Sequence, residues 1–230
     1  MDYRKIGRRD AIGMLGAASA AFAFGCANDT PTSPAATTTT GSSSSSSSCA
    51  VTPTETVGPY PSFTDLLRSD IREGKSGTPV VLAITVVNVN AGCGPVPNAR
   101  VEIWQCDAAG TYSEYGTQRA ESYLRGTQIT NASGEVTFTT IYPGWYQGRA
   151  THIHAEVTLN GASVKVTQIA FPESVSAAVY ATGVYASRGS NPTTNANDNV
   201  FSDGVSSELA TLSGDPANGY TATFRIGIAI

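Results

Sequence analysis

The chain has 230 residues, a formal net charge of −4 and only 14% charged residues. This composition fits one soluble domain behind an export leader, and it excludes a highly charged disordered polymer.

The first 26 residues have the pattern of an export signal. A cationic stretch formed by Arg4, Lys5, Arg8 and Arg9 opens it. The uncharged run Ala11–Gly25 follows and is too short for a permanent membrane helix. Arg8 and Arg9 resemble a twin-arginine signal, and residues 23–26 resemble a lipobox that would place a lipid on Cys26. Sec-type export with ordinary cleavage and a retained N-terminal anchor are the alternatives.

Residues 27–48 consist almost wholly of Asn, Thr, Pro, Ala, Gly and Ser, which predicts a disordered tether in front of a folded domain at 49–230. The tether would hold that domain near a membrane if Cys26 is lipidated. Loss of residues 1–25 removes four basic and two acidic residues and leaves 10 Lys and Arg against 16 Asp and Glu, a net charge of −6. This charge argues against nucleic acid as a partner.

Three cysteines follow the tether, namely Cys49, Cys93 and Cys106, so at most one intrachain disulfide can form. Cys93 lies in a turn rich in Gly and Pro, whereas Cys106 ends the strand that follows. We favour the pairing Cys49–Cys93, with the other pairings left open. The chain has no Cys-x-x-Cys spacing, which argues against a zinc or redox cysteine site.

Short β-rich segments separated by Gly, Pro and Asn turns predict an all-β fold, a β-sandwich with few short helices. The first two predicted strands, Val80–Val89 and Arg100–Gln105, are expected to form a hairpin-like pair. The later strands are expected at Glu135–Ile141, Thr151–Leu159, Lys165–Phe171 and Tyr220–Ile230. Short helices are expected at Ser62–Glu73 and Ser206–Leu212.

The only two histidines of the chain, His152 and His154, stand two residues apart in a predicted strand. Side chains alternate between the faces of a strand, so both imidazoles project from one face, while Ile153 projects into the core. A His-x-His pair alone is weak support for a metal, although imidazole is the commonest metal ligand.

Two tyrosines strengthen the case for a metal. Tyr146 lies in a turn-forming segment before the histidines, and Tyr112 lies just beyond another strand end. Two phenols and two imidazoles form a hard oxygen and nitrogen donor set, which favours iron(III) over copper(I) or structural zinc. A tyrosine hydroxyl has a pKa near 10 in water and is protonated at neutral pH. A bound trivalent cation would keep both tyrosine side chains in the phenolate form.

The chain resembles the intradiol ring-cleavage dioxygenase family, which contains catechol 1,2-dioxygenases and protocatechuate 3,4-dioxygenases. The resemblance covers about Cys49 to Ile230, and its most specific part is the run from Tyr146 through Arg149 to His152 and His154. The matching segments are TPTETVGPYP (52–61), PVPNARVEIWQCDAAGTYS (95–113), LRGTQITNASGEVTFTTIYPGWYQGRATHIHAEV (124–157), TQIAFPE (167–173), TTNANDNVF (193–201) and the terminal strand.

The resemblance implies a role for each matched residue. Tyr112 corresponds to a tyrosinate that stays on a non-haem Fe(III), Tyr146 to one that leaves when substrate arrives, and His152 and His154 to the imidazole ligands. Arg149 corresponds to an arginine near the developing negative charge and Gln168 to a polar residue beside it. The segment Thr54, Gly58, Pro59 and Tyr60 corresponds to a border of the substrate pocket.

The implied reaction uses O2 to open a catechol-type ring between its two hydroxylated carbons and gives a cis,cis-muconate. Catechol, protocatechuate, hydroxyquinol and substituted catechols are all candidate substrates. Tyr146 and His152 are only six positions apart, whereas well-studied cytoplasmic members of the family have a longer insertion there. The long N-terminal helical dimerisation region found in catechol 1,2-dioxygenases also has no counterpart in this sequence. We therefore expect a reduced pocket wall and an open, tolerant pocket.

Two other functions are considered. A surface-tethered binding module could use the same sandwich without chemistry. A metal-dependent hydrolase could use the histidine pair, but Glu156 is the only carboxylate beside them that could serve as a general base.

Overall fold

The computed structural model describes residues 49–230, so the predicted export signal (1–26), the predicted tether (27–48) and Cys26 lie outside the described residues. The strands are β1 (Pro79–Asn88), β2 (Gly94–Pro95), β3 (Arg100–Trp104), β4 (Arg125–Ile129), β5 (Glu135–Ile141), β6 (His152–Leu159), β7 (Ala162–Ala170), β8 (Thr211–Asp215) and β9 (Gly219–Ile228). One α-helix, α1 (Glu173–Tyr180), follows β7.

The strands form two sheets. One has the order β2-β1-β9-β8, with β5 also paired to β1, and the other has the order β4-β3-β6-β7. Strands β1 and β9 run parallel, whereas the other paired strands run antiparallel. The predicted all-β sandwich is confirmed.

The core lies between the sheets and determines which face carries the site. Val101 and Ile103 of β3 and Ile153 and Ala155 of β6 are buried in one hydrophobic cluster with the inward residues of β1, β5 and β9. Because side chains alternate along a strand, the even-numbered residues of β6 project from the outer face of the four-stranded sheet. The histidine pair therefore lies outside the core.

Both predicted helices are wrong. Residues 62–73 run along the edges of both sheets, where Arg68 N–H donates to Thr127 O (3.0 Å) and Ile71 N–H donates to Thr139 O (3.0 Å). These sheet edges satisfy the backbone groups that a helix would have paired internally. Residues 206–208 form a turn, Leu209 forms an isolated bridge with Ala170, and the following Thr211–Asp215 pairs with β9 as a strand.

The predicted pairing of the first two strands is also wrong. β1 pairs with β5 along its length, and only Val87 and Asn88 pair with β2. The turn between β1 and β3 carries the chain to the other sheet, where β3 pairs with β4 and β6. The alternating pattern identified both strands but not their partners.

The favoured disulfide is confirmed. Cys49 and Cys93 are bonded, with their Cα atoms 5.8 Å apart, whereas Cys106 is a buried thiol. The bond joins the first described residue to the turn after β1. No helix within residues 49–230 has the length and apolar character that a membrane crossing requires.

Removal of this disulfide should destabilise the domain. The double variant Cys49→Ser/Cys93→Ser is expected to lose about 2–4 kcal/mol of unfolding free energy, because the cross-link restricts the unfolded chain. Urea unfolding with and without a reducing agent measures the loss. Reduction should lower the midpoint of the unaltered protein and leave that of the double variant unchanged. Equal midpoints for both oxidised proteins would contradict this account.

Candidate metal centre

His152 and His154 present their ring nitrogens to a common point on the outer face of β6. They are 3% and 0% exposed, and their Nε2 atoms lie 3.1 Å apart. His152 Nδ1 lies 2.6 Å from Ala150 O, and a carbonyl can only accept a hydrogen bond. Nδ1 therefore carries the proton and leaves the Nε2 lone pair of His152 available to a metal.

The ring of His154 is held between two neighbours. Trp104, its cross-strand partner on β3, stacks on it with ring centroids 4.9 Å apart and an interplanar angle of 3°. On the N-terminal side, a Cβ placed at Gly58 would lie 2.9 Å from His154 Cε1, and Gly58 has a φ of +73°. Glycine is therefore needed at position 58 both for the backbone conformation and for the close approach to the imidazole.

Tyr112 reaches the histidines because the chain turns sharply after β3. Asp107 Oδ1 accepts from the backbone N–H groups of Ala109 and Thr111, both at 3.0 Å. Within this turn Gly110 has a φ of +78°, and a Cβ there would meet Trp145 O at 2.2 Å. The glycine thus allows the Tyr112 turn to pack directly against the segment that carries Tyr146.

Tyr146 lies on the connection between β5 and β6, which folds back over the histidine face. Its hydroxyl lies 3.2 Å from His152 Nε2, and its ring makes an edge contact with Tyr112 at 5.8 Å between centroids. Tyr146 is half-buried, whereas Tyr112 is only 4% exposed. The two phenols therefore differ in their freedom to move.

The four predicted ligand side chains come together, and their atoms suit a metal ion. The buried Tyr112 hydroxyl has no hydrogen-bond partner among the described residues, nor does His154 Nδ1. Nitrogen and oxygen donors about 2.0–2.2 Å from one ion lie roughly 3 Å apart when adjacent, close to the separations of His152 Nε2 from its two neighbours. The residues present thus fit a hard, highly charged cation.

Burial sets the protonation of these ligands in the absence of a cation. Desolvation, with the nearby Arg149 charge, lowers the pKa of His152 to about 3, and desolvation with His152 lowers that of His154. Burial raises the pKa of both Tyr112 and Tyr146. The imidazoles are therefore neutral and ready to bind, whereas the phenols need a nearby positive charge to ionise.

A polar chain continues from this centre along β7. Arg149 forms an ion pair with Asp198, with Nε 2.9 Å from Oδ2, and donates through its NH2 group to Gln168 Oε1. Gln168 Nε2 donates to Thr56 O at 2.9 Å. Asp198 also accepts from Ala150 N–H at 2.6 Å, so the guanidinium has a fixed orientation beside the histidines.

The predicted pocket segment is only partly near the centre. Tyr60 stacks on Tyr112 with centroids 4.5 Å apart, and Gly58 contacts His154. Pro59 is exposed, and Thr54 accepts a hydrogen bond from Lys165 Nζ instead of contacting the four ligands.

Sequence reasoning missed two residues that position the site. Asp198 fixes Arg149, and its place in the matched segment 193–201 was the available signal. Arg125 is buried beneath the arm formed by residues 52–61, where it donates to Tyr60 O (3.0 Å) and to Ser113 O (2.7 Å). It therefore holds together the backbones beside Tyr60 and Tyr112. The available signal for Arg125 in the sequence was its place in the LRG tripeptide that opens the matched segment 124–157.

Comparisons with known proteins agree with this geometry. A profile of the family described as Dioxygenase matches residues 58–188. A solved structure, an intradiol ring-cleavage dioxygenase from Tetranychus urticae, is 32% identical with a TM-score of 0.70 and covers 79% of this chain and 95% of that one.

Two curated relatives match over shorter segments. The catechol 1,2-dioxygenase of Candida albicans is 34% identical over 33% of this chain and 31% of its own length. The protocatechuate 3,4-dioxygenase beta chain of Burkholderia cepacia is 33% identical over 51% of this chain and 54% of its own length. The chain thus spans about a third to a half of the curated relatives it matches.

The depressed histidine pKa values can be measured directly, because the chain contains only two histidines. In metal-free protein the four ring nitrogens should keep the shifts of neutral imidazole from pH 8 to pH 5, because the pKa of His152 is about 3 and that of His154 is lowered. An unfolded histidine titrates near 6.5, so the histidine contribution to stability falls as the pH drops below that value. Nitrogen-15 NMR of protein labelled at its histidines measures these ring-nitrogen shifts as a function of pH. Titration midpoints near pH 6.5 would show that the rings are solvated.

Proposed function

This chain belongs to the intradiol ring-cleavage dioxygenase family, and we propose that it uses a non-haem iron(III) to cleave catechol-type aromatics between their two hydroxylated carbons, with cis,cis-muconate-type products. Both atoms of O2 enter the product. The observation that carries the proposal is the meeting of two phenols and two imidazoles on the outer face of β6.

Tyr112, Tyr146, His152 and His154 would hold the iron. Bound iron(III) would supply a Lewis acid that favours ionised phenols and a redox-active centre for the reaction of the ring with O2. The neutral Nε2 atoms and the two phenol oxygens supply nitrogen and oxygen donors without any thiolate.

The two tyrosines have different roles. Tyr112 is buried under Tyr60 and belongs to a turn braced by Asp107, so it remains in place. Tyr146 is half-buried on a connecting segment, so its side chain can move away when the substrate binds. With iron(III) bound, Tyr146 would be a phenolate, and its oxygen would take up one of the two catechol protons as the side chain moves away, which its half-buried position allows. No separate basic side chain is required for that proton.

Arg149 and Gln168 act on the substrate side of the centre. The Arg149 guanidinium, fixed by Asp198, places a permanent positive charge where negative charge develops on the ring and its oxygens. Gln168 Oε1 accepts from this guanidinium, and Gln168 Nε2 holds the arm at Thr56 O. The arm therefore keeps its position over the site.

The substrate is a catechol whose ring substituents extend towards the exposed side of the site. The six-residue spacing from Tyr146 to His152 leaves little chain to build an outer wall. Tyr60 offers an aromatic surface next to Tyr112, and its outer neighbour Tyr115 lies 5.1 Å away between ring centroids. Catechol, protocatechuate and hydroxyquinol are the first substrates to compare.

Export remains part of the proposal. The signal-like residues 1–26 would direct the domain out of the cytoplasm, and the tether-like residues 27–48 would precede it. The protein would carry a lipid anchor if Cys26 is acylated. A twin-arginine route would carry the domain already folded around its metal. Metabolic labelling with a fatty acid, lost in Cys26→Ala, tests the anchor, and an unlabelled protein would remove it from the proposal.

Oxygen uptake provides the direct test of activity. The iron-loaded protein should be red, since tyrosinate bound to iron(III) absorbs visible light, and it should consume one O2 per catechol while muconate absorbance appears. Tyr112→Phe should weaken the colour and lower turnover by at least about 100-fold. It removes a proposed metal ligand, and this should reduce turnover more than removal of a residue that only supports a ligand. Tyr123→Phe, a buried tyrosine outside the centre, is the matched control. A folded, iron-loaded protein without colour or oxygen uptake on the three catechols would contradict the proposal.

The Arg149–Asp198 ion pair should matter for turnover as well as for folding. Asp198→Asn frees the guanidinium and should lower kcat about 10–100-fold, as loss of a residue that orients a catalytic group typically does. Asp70→Asn breaks the exposed Asp70–Arg72 pair and serves as the control. If Asp198→Asn folds poorly, Arg149→Lys tests the same charge with its carboxylate partner retained. Unchanged kcat in both variants would exclude the ion pair from the reaction.

A further inference from the structure

A cluster of three carboxylates lies outside the tyrosine and histidine centre. Glu55 of the arm and Asp203 and Glu208 of the segment before β8 each offer one oxygen, and these oxygens all lie within 4.8 Å of one another. Two parts of the chain about 150 residues apart in sequence therefore bring three negative charges together, at a cost in repulsion.

Glu208 is the unusual member of this carboxylate cluster. It is 0% exposed, and its Oε1 accepts from the Thr167 hydroxyl at 3.0 Å. Its Oε2 is buried without a hydrogen-bond partner among the described residues. Burial, followed by the charges of Glu55 and Asp203, raises the pKa of Glu208 to about 7. A buried carboxylate oxygen without a partner is costly, so this atom points to a ligand.

The nearby basic residues do not neutralise the carboxylate cluster. Arg149 faces Glu55 but is engaged by Asp198. Lys165 faces Glu208, but its Nζ donates to Thr54 Oγ1 at 2.8 Å. In the part of the chain that the structure describes, neither cation comes within ion-pair distance of the three carboxylates.

We propose that Glu55, Asp203 and Glu208 bind a divalent cation of the Ca²⁺ type. Ca²⁺ binds six to eight oxygens at about 2.3–2.6 Å, so two ligands on opposite sides of the ion lie up to roughly 5.2 Å apart. The three carboxylate oxygens meet this limit. Asp203 is exposed and Glu55 half-buried, so water can complete the coordination shell from outside.

The cation would fasten the arm to the domain. Glu55 N–H donates to Val166 O (3.0 Å), and Ala170 N–H donates to Glu208 O (2.8 Å), so both cluster segments border β7. Three residues beyond Glu55, Gly58 packs on His154. Cation binding would therefore stabilise the arm that covers the metal centre, while remaining separate from the iron ligands.

Calcium titration of the iron-loaded full chain tests the proposal. After passage over a chelating resin at pH 7.5, the protein should bind one Ca²⁺ per chain by calorimetry, with Kd on the order of 10⁻⁴ M, as in extracellular modules. The thermal midpoint should rise by about 5 °C or more at a hundredfold excess over Kd. Mg²⁺ should bind more weakly, because it requires shorter, stricter octahedral coordination.

Three variants make the test specific. Glu208→Gln and Glu55→Gln should abolish the Ca²⁺-dependent shift, and Glu208→Gln without Ca²⁺ should be at least as stable as the unaltered protein, because repulsion is relieved. Glu121→Gln, an exposed site elsewhere, should retain the full shift. If Glu208→Gln does not fold, Asp203→Asn at the exposed position replaces it.

Two results would overturn the proposal. One is that the unaltered protein shows neither a heat of Ca²⁺ binding by calorimetry nor a Ca²⁺-dependent rise in its thermal unfolding midpoint. The other is the same Kd in the cluster variants as in Glu121→Gln, which would assign the binding to general surface charge. Because these measurements do not use turnover, they fail independently of the proposed dioxygenase activity.

Discussion

The 3.1 Å approach of the two histidine Nε2 atoms is the constraint on which the rest of the site depends. Two residues on one face of a strand present their rings side by side, and a neutral ring nitrogen tolerates burial far better than a charged one. The carbonyl of Ala150 sets the tautomer of His152, and Trp104 with Gly58 sets the plane of His154. The β-sandwich supplies a rigid base because the opposite face of β6 is packed into the core.

The remaining donors come from chain segments that must be brought to this face. The Tyr112 turn and the Tyr146 connection contact each other at Gly110, where only a glycine avoids a clash with the backbone. Arg125, buried below, ties the backbone next to Tyr112 to the arm at Tyr60. The resulting difference in burial between Tyr112 and Tyr146 supports the proposal that one phenol would be a fixed ligand and the other a replaceable one.

The arm of residues 52–61 links the two proposed ion sites. Its carbonyl at Thr56 accepts from Gln168, which also accepts from Arg149. One residue earlier, Glu55 belongs to the carboxylate cluster. An ion that fixes Glu55 would therefore act on the cover of the iron site without touching an iron ligand, and it would do so most strongly where calcium is abundant.

The sequence predicted β1, β3, β5, β6, β7 and β9, because an apolar or alternating run of residues reports burial. It missed the short strands β2, β4 and β8. It also singled out Tyr112, Tyr146, His152, His154 and Arg149, which the structure brings close together, because their pattern resembles that of a known family; their role as metal ligands stays a prediction. It did not predict that residues 62–73 bridge two sheet edges, since their backbone partners lie more than 50 residues away. The same limit applies to Asp198 and Arg125, whose importance comes from contacts 49 and 65 residues distant.

A crystal structure of the iron-loaded protein, with anomalous data collected at the iron absorption edge, tests the central claim most directly. The account predicts a single strong anomalous peak within about 2.0–2.3 Å of Tyr112 Oη, Tyr146 Oη, His152 Nε2 and His154 Nε2, as metal bonds to oxygen and nitrogen require. A peak that none of these atoms touches, or a peak bound by the histidines with both tyrosine hydroxyls turned away in substrate-free protein, would contradict it.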